Sequence, residues 1–140
     1  MFKKRSVLAS VMLLLIMTLL FLSGCGGKAK DTPVSVGSDK NGQAITVKQQ
    51  ASLAVRLESN PTTGFRWELA QCDKSVLMPQ GEPVYEAAKS DQLVMGGGGW
   101  ETFQFKPQKT GQTHLKLIYH RTFEKDVPPA QVYDLDVTIE

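Results

Sequence analysis

The side chains able to do covalent or metal chemistry in this chain are few: Cys25 and Cys72, His114 and His120. A thiolate beside an imidazole would make a nucleophile–base pair, and two histidines with a thiol could begin a zinc set. Neither pattern is built. Cys72 follows a strand-like run, outside every distinctive segment, and reads as a buried or idle thiol. His114 and His120 alternate with Lys116 onto the polar side of a strand, which reads as solvated surface. The paired ligand spacing of structural zinc sites is missing. No catalytic residue, metal or cofactor is expected, and the chain is not expected to be an enzyme.

What remains are residues suited to contact. Asn60-Pro61-Thr62-Thr63-Gly64-Phe65 is a constrained polar turn between two strand-like runs. Pro61 fixes its own φ, Asn60 and the threonines can bond their own backbone, and Gly64 can take the φ > 0 that reverses the chain. A loop so restrained loses little entropy when a partner closes over it. Gly96-Gly97-Gly98-Gly99-Trp100 is the second segment. Backbone without Cβ can approach a partner closely and offer its N–H and C=O groups. In the third, a strand pattern passes through Tyr119-His120-Arg121-Thr122 into charges around Phe123, an aromatic with no alternating neighbours to bury it. Each segment alone also fits a plain turn, a flexible loop or a hairpin tip whose Phe folds back on the core.

The elements that must position these segments are strands. Leu53, Val55 and Leu57 alternate with polar neighbours, as do Phe65, Trp67 and Leu69, Phe103 and Phe105, Leu115, Leu117 and Tyr119, and Tyr133, Leu135, Val137 and Ile139. This period of two argues strands with one buried face. Ile45 and Val47 suggest an early strand and Val84-Tyr85 a weak one. Turn residues punctuate them at Asn60-Pro61, Pro79-Gln80-Gly81, Gly96 to Gly99, Lys109-Thr110-Gly111 and Pro128-Pro129. About seven short strands in a single domain of ~100 residues predict an all-β antiparallel sandwich or barrel of immunoglobulin-like arrangement.

The front of the chain reads as a targeting segment. Lys3, Lys4 and Arg5 precede an apolar run from Val7 to Leu22, short for a bilayer-spanning helix. Leu22-Ser23-Gly24-Cys25 resembles the lipobox of bacterial lipoprotein signals. That resemblance implies cleavage of residues 1–24 and lipidation of Cys25 by more than one acyl chain, a stable membrane anchor. The expected place is the cell envelope, on the outer membrane in a two-membrane cell. Residues 25–43, rich in Gly, Lys, Asp and Ser, read as the lipidated cysteine and a tether, leaving 44–140 as the domain. The whole chain has 16 Lys+Arg against 14 Asp+Glu. Without residues 1–24, which hold three basic and no acidic residues, the balance is 13 against 14, so nucleic-acid binding has no electrostatic support. With Cys25 lipidated, Cys72 is the remaining thiol and no intramolecular disulfide can form.

Taken together in this order, the three segments resemble the chagasin-type family of cysteine-peptidase inhibitors, with its NPTTG[YF], GxGG and RP[WF] loops at one end of an immunoglobulin-like fold. Asn60 to Phe65 match the first motif, Gly96, Gly98 and Gly99 the second, and Arg121 and Phe123 the third; Thr122 stands where the family has proline. The resemblance implies a monomer that reversibly plugs the cleft of papain-like cysteine peptidases. Thr62 would lie nearest the catalytic cysteine and histidine, with Thr63 and Gly64 supporting the loop. The glycine loop would run along the enzyme surface, and Arg121 and Phe123 would grip the other side. Without the proline, Arg121 is freer, and weaker inhibition than in a proline-bearing relative is expected. The alternative is a non-inhibitory envelope module that binds another protein or peptide through the same loops or a sheet edge.

Overall fold

The computed structural model of the chain describes residues 32–89 and 97–140. The segment expected to be a signal, Cys25 and Gly96 lie outside the described residues. Nine strands are described: β1 (Val34–Val36), β2 (Gln43–Val47), β3 (Leu53–Ser59), β4 (Phe65–Gln71), β5 (Leu77–Pro79), β6 (Val84–Ala87), β7 (Gly99–Pro107), β8 (Gly111–Arg121) and β9 (Gln131–Ile139). They form two sheets, one in the order β1-β3-β7-β5 with β6 also on β7, the other β2-β9-β8-β4. β5 and β6 lie one after the other along the same edge of β7, opposite Phe105–Pro107 and Gly99–Thr102 respectively.

The alternation seen in the sequence is the alternation of burial. Leu53, Val55 and Leu57 of β3, Phe103 and Phe105 of β7, Leu115, Leu117 and Tyr119 of β8, and Tyr133, Leu135, Val137 and Ile139 of β9 all fill the space between the sheets. Their neighbours face solvent, which is the arrangement a half-buried sheet requires. The all-β, immunoglobulin-like expectation holds.

Three features differ from the sequence reading. The tether expected up to residue 43 is built into the fold from Val34, because β1 pairs in parallel with β3 and the chain then crosses to β2. Val36 is buried, and that apolar anchor outweighs the polar residues around it. The sandwich is also not purely antiparallel: β1 on β3 and β2 on β9 are parallel edge pairs. Finally, Pro79 ends β5 instead of opening a turn; on an outer strand its missing N–H breaks no ladder, and the turn is left to Gly81 at φ +69°.

Register decides what meets at each end of the sandwich. Ser59 pairs with Gly99, Ala87 with Gly99, Phe65 with Arg121, and Tyr119 with Gln131. The connections β3–β4, β6–β7 and β8–β9 therefore leave the same pole. The chain enters at the other pole, where Val34 pairs with Leu53.

Candidate functional site

The β3–β4 connection is a 3-10 turn at Pro61–Thr63 ended by Gly64 in the left-handed region, φ +81°. It is tied down by its own residues. Thr63 Oγ1 donates to the Asn60 carbonyl at 2.6 Å, Thr62 Oγ1 to Asn60 Oδ1 at 2.5 Å, and the Gly64 N–H to the Pro61 carbonyl at 3.0 Å. From below, the Asn60 N–H donates to the Tyr119 hydroxyl at 2.9 Å. Tyr119 is itself fixed, stacked on Phe65 with ring centroids 5.3 Å apart and against Trp67 at 5.0 Å. Thr62 and Thr63 remain exposed at the tip.

The β8–β9 connection begins with Arg121, Thr122 and Phe123. The Glu124 N–H donates to the Arg121 carbonyl at 3.1 Å, which makes Thr122 and Phe123 the two central residues of a β-turn. Phe123 is 69% exposed. Its ring lies over Gly64: a Cβ added there would come within 2.9 Å of Phe123 Cε1. Arg121 turns inward. Its Nε donates to the Thr63 carbonyl at 3.1 Å, and its guanidinium carbon stands 4.4 Å from the Phe65 ring centroid.

The β6–β7 connection is described from Gly97 onward. Gly98 lies against the first loop, with a Cβ position only 3.3 Å from the Ser59 carbonyl oxygen. Gly99 is buried and has no room for a side chain, since a Cβ would collide with the Glu86 carbonyl oxygen of β6. So packing requires glycine at 99 and leaves only tight room for a Cβ at 98. Trp100 lies on the outer sheet face with the Arg56 guanidinium 4.3 Å from its ring centroid. Ser59, Asn60, Gly98, Trp100, Tyr119 and Gln131 line an open cleft of about 380 Å³ between the first and second loops.

Beneath the loops the two sheets are stapled. Glu101 of β7, 2% exposed, accepts the Trp67 N–H of β4 at 2.9 Å, while Trp67 Nε1 donates to the Glu58 carbonyl at 2.8 Å. β4 is an outer strand, so this carboxylate satisfies an edge N–H and holds the strands carrying all three loops in one frame. Tyr119, Glu101 and Glu124 are the supporting residues that sequence reasoning missed. Tyr119 was legible as core; what its hydroxyl does was not.

Of the reactive side chains, Cys72 and His114 are placed elsewhere, whereas His120 borders the third loop beside Phe65 and Arg121. The half-buried Cys72 donates its S–H to the Leu77 carbonyl at 3.2 Å, and burial pushes its thiol pKa up, away from thiolate chemistry. His114 sits between Asp136 and Asp134 at 2.7 and 2.9 Å, and His120 is 2.6 Å from Glu68. Hydrogen bonds from Asp136 first, then Asp134, raise the His114 pKa.

A family model described as chagasin family peptidase inhibitor I42 matches residues 46–137, a span that contains all three loops. The chain belongs to the chagasin family of peptidase inhibitors. It is 29% identical over 85 residues to chagasin of Trypanosoma cruzi, covering 58% of this chain and 74% of that protein. Among solved structures it resembles the cysteine protease inhibitor of Entamoeba histolytica, with a TM-score of 0.69 and 21% identity over 76% of this chain and 95% of that one. It also resembles PbICP-C, solved in complex with falcipain-2, with a TM-score of 0.52 and 18% identity over 81% of this chain and 95% of that one. These structures share the sandwich. Of the residues matched to the motifs, Asn60 to Phe65, Gly98 and Gly99, and Arg121 and Phe123 lie at one pole by register.

Proposed function

We propose that this protein inhibits papain-like cysteine peptidases by reversible occlusion, inserting one pole of the sandwich into the active-site cleft. The observation that carries the reading is the convergence of Thr62, Gly98 and Phe123 on a pole whose loops are braced before any partner arrives. Bracing lowers the entropy cost of binding. Standard inhibitor interfaces bury ~800 Å² per partner, within the reach of this end of the domain. Thr62 at the tip would stand nearest the catalytic cysteine and histidine, with Gly97 and Gly98 along one wall of the cleft and Phe123 on the other. In this role the chain is a monomer and an inhibitor, with no catalytic step of its own. Support comes from family membership and from the cysteine protease inhibitors that share the fold.

The same proposal places the protein on a membrane through lipid at Cys25. The folded part begins at Val34, so at most nine residue steps, about 30 Å of extended chain, separate the anchor from the sandwich. β1 enters at the pole opposite the loops, and six strand steps from Leu53 to Ser59, about 20 Å, separate the two poles. In an anchored molecule the tether would join the sandwich at the pole opposite the loops.

Asp31–Glu140 form a compact unit of their own, so residues 26–140 carry the whole core. This domain, titrated into active-site-counted papain, should abolish activity at one equivalent and remain uncut on a denaturing gel. Cleavage of the inhibitor at a steady rate, or full activity with excess domain present, would refute the inhibitor reading and favour the binding module.

A further inference from the structure

We propose that Glu124, which belongs to none of the three motifs, is a positioning residue that takes over the stiffening lost with Thr122; the proposal rests on the inhibitor reading above. Threonine at this position leaves Arg121 without the backbone restriction that a following proline imposes. The restraint is supplied from the side chain instead. Arg121 Nη1 donates to Glu124 Oε1 at 3.0 Å, while Nε of the same guanidinium donates to the Thr63 carbonyl at 3.1 Å and its plane covers the Phe65 ring. The two partners are only about one-third exposed, 35% and 33%, so the pair is partly shielded from water. A charge-assisted bond in such surroundings is stronger than an open surface pair.

Glu124 acts through Arg121. Its carboxylate selects the rotamer in which the guanidinium fork spans both connections, and its N–H closes the turn that projects Phe123. Without the charge, Arg121 has solvated rotamers available, and the Thr63 carbonyl loses its link to the third loop. The peptidase would then bind the fraction of molecules in which the two loops keep their spacing, and apparent affinity falls by that fraction. Glu124 itself faces its own chain, so it touches no partner in this scheme.

Position 122 provides the test. Thr122 is the second residue of the turn, a place proline favours, and Arg121 is extended strand, the conformation a following proline asks for. The inhibition constant against papain is measured for residues 26–140 as wild type, Glu124→Gln, Thr122→Pro and the double variant. Glu124→Gln should weaken inhibition by about 3–10-fold, and Thr122→Pro should tighten it by about 2–5-fold. In the double variant the Glu124→Gln penalty should shrink below about 2-fold, because proline already fixes the loop. Thermal midpoints should stay within a few degrees of each other throughout, and Arg121→Lys should not rescue, since an ammonium cannot bridge Thr63, Glu124 and the Phe65 face together. An equal penalty with and without proline would make Glu124 a direct contact and overturn the proposal, as would a Glu124→Gln variant that inhibits like wild type. A wild-type domain that leaves papain active overturns the inhibitor reading and this inference together.

Discussion

Replacing Gly64 with alanine tests how the first and third loops depend on each other. At φ +81° an L-residue pays about 1–2 kcal/mol for the left-handed region, offset by up to ~1 kcal/mol from the less disordered unfolded chain. The new methyl would also sit 2.9 Å from Phe123 Cε1. That ring is 69% exposed and free to swing outward, so the clash is relieved by moving Phe123 and adds little to the stability loss. The net destabilisation should be about 0.5–1.5 kcal/mol, a fall in Tm of roughly 3–8 °C for a domain of this size. Inhibition should suffer more. If burying Phe123 against the peptidase is worth about 1.5–2 kcal/mol, displacing it costs 10–30-fold in the inhibition constant. Gly42 supplies the control: it has φ +73°, and a Cβ there meets nothing within 4 Å. Gly42→Ala should lower Tm by a similar amount and leave inhibition unchanged. The assay is a thermal melt and a tight-binding titration of papain for both variants. If Gly64→Ala melts lower yet inhibits like wild type, Phe123 is not a contact and the reasoning fails.

Three further outcomes rest on the same geometry. Tyr119→Phe removes the hydroxyl that accepts the Asn60 N–H at 2.9 Å, and should cost about 0.5–1.5 kcal/mol by chemical denaturation while weakening inhibition. Ser59 Oγ is buried with no hydrogen-bond partner among the described residues, so Ser59→Ala should be neutral or stabilising by up to ~1 kcal/mol; a clear loss would reveal a partner. His114 has its pKa raised above 6.5 by Asp136 and Asp134, so the stability it gains as an imidazolium is complete below 6.5 and lost as pH rises through the raised value. Tm measured at successive pH values across that window should fall, and Asp136→Asn should flatten the fall.

The strands of the fold were legible because burial and polarity alternate along them. Five of the nine, from Leu53, Phe65, Phe103, Leu115 and Tyr133, announce themselves by period two. β1 and β5 did not, for a common reason: three residues are too few to show a period, and their flanking Pro33, Gly37 and Gly81 read as linker or turn. Only pairing to β3 and β7 makes them strands. At the site, the turn chemistry of Asn60 to Gly64 and the isolation of Phe123 could be read directly. The inward turn of Arg121 could not, because Thr63, Phe65 and Glu124 come from both sides of a gap of more than fifty residues. Nor could the role of Gly99, whose missing Cβ matters because β6 closes over it.

The most direct test of the account is a crystal structure of residues 26–140 bound to papain. Thr62 is expected beside the catalytic thiol, the Gly97–Gly98 backbone and the Phe123 ring on opposite walls of the cleft, and the Val34 pole pointing away from the enzyme. An enzyme held instead by the exposed β6 edge, the His114 face or the Val34 pole, with its cleft open, would contradict it.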